Sequence, residues 1–334
     1  MKLATLPNGR PDGQLVVLSP DASTCAPHPA WPTLQQALEA WPDAEPALRA
    51  LATQLAAPGA AVPGQQRFEA ASALAPLPRA WQWLDGSAFQ SHGDLMSTVF
   101  HMDKLPYDER PLMYQGLSDR FLPGTADVPL PSEADGIDFE GEFGIITDAV
   151  PMGVSLAEAA QHIRLLVLIN DWSLRRIAPV EMKTGFGWIQ AKPASAIAPI
   201  AVTPDELGSA WRHHRVQMHL DVRWNEQRFG QAHAGAMAFG FDQLVAHAAY
   251  SRTLVAGTVI GSGTVSNESY RDVGSSCIAE RRAIELLDEG AARTPYMRFG
   301  ERVQMQARFE DGRAGPFGAV DQRVVAAAAA AAAA

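Results

Sequence analysis

The chain reads as an α+β protein, mainly β. Three observations carry this. From Ala75 onward, short apolar runs alternate with turns rich in Gly, Pro, Asp and Asn. Helical periodicity is confined to a few segments, the longest of them near the N-terminus. The strand candidates do not alternate with helices as a βαβ sheet requires.

Residues 1–75 read as a small N-terminal α/β unit. A turn-rich start leads into residues 13–19 (GQLVVLS), a strand candidate. Residues 33–55 are rich in Ala and Leu at helical spacing, interrupted near Pro42 and Pro46, which predicts two helices. The Pro/Gly-rich stretch 58–65 reads as a linker.

Residues 76–325 read as the main β domain. Its strand candidates are 143–146, 165–169, 216–224, 258–260 and 303–309. The run 216–224 (VQMHLDVRW) alternates, as a strand with two unlike faces does. Helices are expected over 156–163 and 241–250. Ser155, with Glu158 three residues on, forms a capping-box pattern at the first of these. The alanine tract 326–334 can bury little, and is expected to hang from the domain without chemistry.

The 334 residues are 47% hydrophobic and 19% charged, the composition of a chain able to bury a core rather than remain disordered. A net charge of -10 without clustered Lys and Arg argues against nucleic acid as a partner. Cys25 and Cys277 form neither a CxxC pair nor a disulfide framework. No signal-peptide pattern and no run of membrane-span length occurs, so the expected location is the cytoplasm and no membrane contact is expected.

Chemistry concentrates in acids. In the segment Asp138-Phe139-Glu140-Gly141-Glu142, a strand would put Glu140 and Glu142 on one face. Two carboxylates so close repel unless a cation joins them or one is protonated, although an exposed acidic face would look the same in sequence. Asp171 ends the apolar run 165–169, where a carboxylate needs partners, though Asn170-Asp171 is also good turn chemistry. Asp85 is a fourth acid, expected on a loop. Four carboxylates and no thiolate suit Mg²⁺, Ca²⁺ or Mn²⁺. His92, seven residues after Asp85, is a candidate base near such an ion. His213, His214 and His219 read as solvated or strand-surface residues. The Gly/Ser-rich segments 261–264 and 274–277 could aim backbone N–H groups at an anion, or be plain turns; neither is a phosphate-binding loop. No GxSxG elbow occurs, and Cys277 has no evident catalytic partner.

Taken in order, Asp85 with His92, Glu140-Gly141-Glu142, Asn170-Asp171-Trp172-Ser173 with Arg175, Lys192-Pro193, Gly261-Ser262-Gly263-Thr264 and Glu280 resemble the pattern of the fumarylacetoacetate hydrolase family. The resemblance runs over about 75–322, and the N-terminal part is similar to the small N-terminal domain of bacterial members. It implies a mixed β-sandwich roll, bound Mg²⁺ (or Ca²⁺ or Mn²⁺) and a homodimer. It also implies hydrolysis of a carbon–carbon bond in a small 1,3-diketo acid, foremost fumarylacetoacetate in tyrosine catabolism.

On that resemblance Asp85, Glu140, Glu142 and Asp171 match the metal ligands, His92 the base, Glu280 its orienting carboxylate, and Lys192 the cation beside the developing oxyanion. Tyr114, Arg175 and Thr264 match substrate-binding positions. Two positions depart from the animal enzymes. His101 stands where a carboxylate-binding arginine is expected, a role Lys104 or Arg110 would have to fill, and Ala178 stands where a glutamine is expected. Acylpyruvate hydrolysis, oxaloacetate decarboxylation and, in another class, a β-rich protein with a structural metal are the competing expectations.

Overall fold

The structure, a computed structural model, describes residues 1–59, 61–99 and 110–328. His101 and Lys104 lie outside the described residues.

In the N-terminal unit, β1 (Lys2–Leu6), β2 (Gln14–Leu18) and β3 (Thr24–Pro27) form an antiparallel meander, joined by the short β4 (Gln66–Arg67). The two expected helices are α1 (Leu34–Glu39) and α2 (Trp41–Ala56). The break falls at Ala40. Pro42 is tolerated in the first turn of α2, where its missing N–H has no intrahelical partner to lose, while Pro46 lies inside that helix.

The main domain follows with β5 (Gln82–Gly86), α3 (Gln90–Val99), β6 (Met113–Gly116), β7 (Ile137–Asp138) and β8 (Gly141–Thr147). Then come α4 (Leu156–Ala159), β9 (Ile163–Asn170), β10 (Ser173–Leu174), α5 (Ala178–Thr184) and β11 (Ala201–Val202). β12 (His219–Trp224), β13 (Gln227–His233), α6 (Phe241–Ala248) and β14 (Thr258–Gly261) lead to α7 (Ile278–Glu289), β15 (Arg302–Arg308) and β16 (Ala314–Ala326).

The large sheet runs β4-β3-β2-β1-β11-β9-β8-β14-β5-β6, so the N-terminal meander continues the sheet of the main domain through the β1–β11 pair. A second sheet, β13-β12-β15-β16, carries the strand Val128–Leu130 at its edge. Phe143, Leu166 and Leu168 share one core with Leu220, Val222, Met305 and Phe317 of this second sheet. The alternate residues Leu165, Val167 and Ile169 pack with Trp41 and Leu48 under the N-terminal helices. β9 is thus apolar on both faces, which is why residues 165–169 read as an unbroken apolar run.

Four expectations change. Asp85 lies on strand β5, not on a loop. The run 216–224 is interrupted, Arg215–Val216 pairing separately before β12 begins. The start of the alanine tract is anchored: Ala326 ends β16, and the N–H of Ala327 donates to the carbonyl of Leu130, while residues 329–334 lie outside the described residues. Backbone pairing needs no side chain, so alanine serves there as well as any residue. The Ser155–Glu158 capping box is present at α4, but only one helical turn follows before a 3₁₀ turn, Ala160–His162. Among the described residues no helix is long and apolar enough to cross a membrane.

Candidate active site

Strand alternation places the carboxylates. On β5, Asp85 shares a face with Trp83; on β8, Glu142 shares one with Ile146; and Asp171, just past β9, continues the side of Val167 and Ile169. Trp83, Ile146, Val167 and Ile169 all belong to the core under the N-terminal helices. The three acids therefore emerge on one face of the sheet where neighbouring strands end. Their oxygens lie within 4.8 Å of one another, and all three side chains are buried.

Backbone geometry completes the pocket. Gly263 has φ +76° and donates its N–H to Asp85 Oδ1 at 3.2 Å and to Glu142 Oε2 at 3.1 Å. A Cβ on Gly261 would stand 2.8 Å from both of those oxygens. The Gly/Ser-rich segment 261–264 does aim an N–H at anions, and the anions are the protein's own carboxylates.

Glu140 stands beside this trio. Its Oε1 accepts from Ser173 Oγ at 2.5 Å and Lys192 Nζ at 2.6 Å, and its Oε2 accepts from Thr264 Oγ1. Lys192 also donates to Asp171 Oδ2 at 2.5 Å. Asp171 accepts in addition from Ser195 Oγ and Tyr114 Oη, each at 2.6 Å. Tyr114 faces Asp85 directly across the β5–β6 pair. Three of the four expected metal ligands thus converge, and the fourth is joined to them through Lys192.

The electrostatics follow from crowding. Burial pushes the carboxyl of Asp85 up to about 7, and the charge of Asp171 adds to the rise. Burial and the charge of Asp85 raise Glu142 well above the usual carboxylate range. Burial also opposes ionisation of Glu140, but Arg175 and Lys192 outweigh it and hold that carboxyl well below its ordinary value. Lys192 stays protonated: burial works against its charge, and Asp171 and Glu140 overcome it.

Among the described residues Glu142 Oε1 is buried with no hydrogen-bond partner. Three convergent carboxylates with an orphaned oxygen, all donors being oxygen, fit a hard divalent cation of the Mg²⁺, Ca²⁺ or Mn²⁺ kind. Such an ion would replace the protons that the trio otherwise needs.

The expected base and its partner are brought together from two helices. His92, on α3, has Nδ1 2.7 Å from Oε2 of Glu280, the third residue of α7, and Glu280 is fully buried. A ring nitrogen of His92 lies within 4.8 Å of a Glu140 oxygen. Cys277, in the same cluster, is the N-cap of α7, its Sγ accepting from the Glu280 N–H at 3.3 Å, and burial pushes its thiol well above the ordinary value, which disfavours a thiolate nucleophile.

Arg175 and Thr264 serve the carboxylates. The Arg175 guanidinium stands 2.8 Å from Asp138 and 3.1 Å from Glu140. Asp138, an acid given no role of its own in the sequence reading, is fully buried beneath the site. Its place directly before Phe139-Glu140 was the available signal; Ser195 offered none.

A cavity of about 980 Å³ opens beside Tyr114. Its wall includes Trp188, whose ring meets Tyr114 edge-on at 5.9 Å, together with Arg110, His247 and Arg252. Among the described residues no acidic side chain lines it, and Arg110, Trp188 and Arg252 give its described wall a basic, aromatic character beside the acidic cage.

A second cluster, His219, His233 and Glu310, sits on the other sheet. There the Gly235 N–H donates to His233 Nδ1. The ring proton must then lie on Nε2, which is 2.9 Å from Glu310, and this nitrogen offers no lone pair to a metal. His219 keeps its expected place on the strand surface, partly exposed.

Comparison with known proteins identifies the family of the chain. Residues 82–325 match the model described as fumarylacetoacetate (FAA) hydrolase C-terminal, and residues 1–79 match fumarylacetoacetase N-terminal domain 2. The chain is 28% identical over 163 residues to a 2,4-didehydro-3-deoxy-L-rhamnonate hydrolase from Sphingomonas sp. (strain SKA58), covering 48% of this chain and 54% of that protein, about half of its length. Its fold is similar to that of a candidate HpcE protein from Mycobacterium smegmatis, with TM-score 0.71, 18% identity and coverage of 98% of this chain and 100% of that one. It is also similar to fumarylpyruvate hydrolase from Pseudomonas aeruginosa, solved in complex with Mn²⁺ and pyruvate, with TM-score 0.52, 13% identity and coverage of 75% and 91%. With both family models matched along nearly its whole length, the chain belongs to the fumarylacetoacetate hydrolase family, whose members are metal-dependent hydrolases or isomerases.

Proposed function

We propose that this chain hydrolyses a carbon–carbon bond in a 1,3-diketo acid, with fumarylacetoacetate as the first candidate substrate. The observation that carries the reading is the His92–Glu280 pair beside Glu140, which Lys192 joins to the buried carboxylate trio. Asp85, Glu142 and Asp171 would hold one divalent cation, Mg²⁺ or its relatives Ca²⁺ and Mn²⁺, with Glu140 beside it. When bound, such an ion supplies a Lewis acid for the two carbonyl oxygens of the substrate.

The protein's own groups would do the rest. Glu280 fixes His92 through Nδ1 and leaves Nε2 free to take a proton from water. The water oxygen attacks the carbonyl carbon, forming a C–O bond. The adjacent C–C bond then breaks, and its electron pair passes into the second carbonyl. The proton held on His92 returns to the leaving carbon, so atoms and charge balance. Lys192, kept cationic between Glu140 and Asp171, adds positive charge where the oxyanion develops. The basic cavity beside Tyr114 suits the anionic remainder of the substrate.

A second substrate has a specific observation in its favour. The Sphingomonas relative is named for a 2,4-dioxo sugar acid, which supports an acylpyruvate-like compound as the second candidate. The test is an absorbance assay of fumarylacetoacetate and a panel of acylpyruvates with Mg²⁺ or Mn²⁺, each paired with an EDTA control. Loss of dicarbonyl absorbance that EDTA abolishes is expected. No loss with any of them would sink the hydrolase reading. A homodimer is carried forward with this function, to be checked by light scattering.

A further inference from the structure

The proposed base and the carboxylate cage are joined by a residue outside the cluster of expected metal ligands. Asp138, on β7, is fully buried. Its Oδ1 accepts from the Ile278 N–H at 2.7 Å and its Oδ2 from the Ala279 N–H at 2.9 Å. These are the first two residues of α7, whose third is Glu280. With the Cys277 thiol accepting from Glu280 itself, each of the first three N–H groups of the helix has a partner. Two of the three come from one acid 140 positions away in sequence, an uncommon device for a job that a local Ser, Thr or Asp normally does.

The same carboxylate reaches the other way. Asp138 Oδ2 accepts from Arg175 Nε at 2.8 Å, and the Arg175 guanidinium stands 3.1 Å from Glu140 Oε1. Glu140 is in turn joined to Asp171 through Lys192. A continuous path of charged contacts thus runs from the carboxylate cage through Glu140, Arg175 and Asp138 into the first turn of α7, and from Glu280 to His92.

We infer that Asp138 is a positioning residue that sets Glu280, and through it His92, in register with the carboxylate cage. A simple packing role explains less. A buried carboxylate is costly unless several donors share it, and a packing residue needs no charge. The start of α7 is also tied to β8 by backbone, through the Gly141 N–H to Ser276 and the Glu140–Cys277 bridge. The helix therefore keeps an attachment when Asp138 is changed, and what is lost is its exact seating.

The inference rests on His92 being the base, and its test separates the two claims. In metal-loaded wild-type protein, ¹H NMR should show a downfield His92 Nδ1–H resonance, assigned by its loss in H92Q and in E280Q. In Asp138→Asn, with circular dichroism unchanged, that resonance should weaken or move upfield. In the diketo acid assay the same variant should lose roughly tenfold to a hundredfold in kcat, the range seen when groups supporting a metal site's ligands are removed, while KM and Mn²⁺ affinity hold. Its effect should largely vanish in the E280Q background, because it acts through Glu280. Asp138→Ser, which removes the charge without placing an amide against the helix N–H groups, gives the same reading if the asparagine variant does not fold. An unaltered His92 resonance in a folded Asp138 variant would overturn the inference, as would loss in KM or Mn²⁺ affinity alone. Absence of any turnover by the wild type would remove the proposed function, and the resonance would still decide the role of Asp138.

Discussion

His92 Nδ1 and Glu280 Oε2 lie 2.7 Å apart, although 188 positions separate them in the chain. The histidine comes from α3 and the glutamate from the first turn of α7, and the two helices pack against each other beside the sheet. A base is useful only when one ring nitrogen is held and the other is free, and this contact holds one.

Removing the proposed base should therefore separate catalysis from metal binding. His92→Ala is expected to lower kcat by about 10²–10⁴, the usual contribution of a positioned general base. Mn²⁺ binding, followed by calorimetry, should be little changed. Retention of near-wild-type turnover would show that another group takes the proton.

The carboxylate trio makes a prediction about metal removal. Glu142→Gln keeps the shape of the side chain but takes away a charge and an oxygen donor. Calorimetric Mn²⁺ affinity should fall at least about tenfold, as for loss of a group supporting a metal site. Equal affinity in the variant would place the ion elsewhere.

The same crowding sets a pH dependence for the ion-free protein. Burial and Asp171 raise Asp85 to about 7, and Glu142 moves the same way. A carboxyl whose folded value is raised favours the folded state fully below the unfolded value, about 4. That contribution is lost as pH climbs through the folded value. In EDTA the melting temperature should thus fall from pH 5 to pH 8, and added Mn²⁺ should restore more of it at pH 8 than at pH 5. A melting temperature rising over that interval in EDTA would contradict the assignment.

Substrate choice should depend on the basic cavity. Arg252 stands on its wall with its guanidinium 3.5 Å from Gln115 Oε1, and among the described residues most of its donors are available. Arg252→Gln should reduce kcat/KM for fumarylacetoacetate, which carries a second carboxylate, by roughly tenfold, the 1.4 kcal/mol expected for a partly exposed charge-assisted contact. Acetylpyruvate, which lacks that group, should be affected much less. Parallel losses on both compounds would show that this arginine does not read the distal carboxylate.

Gly263 tests the cradle itself. A Cβ there would lie 2.3 Å from the Gly86 carbonyl, in a backbone conformation with φ +76°. Gly263→Ala should cost more than the about 1–3 kcal/mol of left-handed strain alone, and denaturant unfolding would measure it. A loss below that range would mean the 261–264 turn relaxes freely.

Much of this was legible in one dimension because it follows short periods. Thr33 caps α1, and the double-sided burial of β9 appears directly as the run 165–169. The end of that run marked Asp171, and the Glu140-Gly141-Glu142 spacing marked its neighbours. Less visible were α3 and α7, which carry His92 and Glu280. Gly93 and the polar residues around His92 blur the helical pattern of α3. The start of α7 is capped by Cys277 and by a distant aspartate, so the usual Ser/Thr/Asp signal is missing. The strand identity of Asp85 was hidden too, because Gly86 and Ser87 look like a turn.

What the sequence alone determined, through local periodicity, was the mainly β character and the extent of the N-terminal helices; it nominated Asp85, Glu140, Glu142 and Asp171 as candidates, passed over Asp138, and reached Glu280 only through the family resemblance. Only the tertiary structure decided which acids meet. Asp85 and Glu142 from two strands, and Asp171 just past the end of a third, are set within 4.8 Å by strand register, whereas Glu140, only two residues from Glu142, is drawn aside by Ser173, Lys192 and Thr264. Strand pairing is a long-range choice made by the whole core. The energy of a buried charge depends on what that choice puts beside it, and no spacing along the chain encodes that.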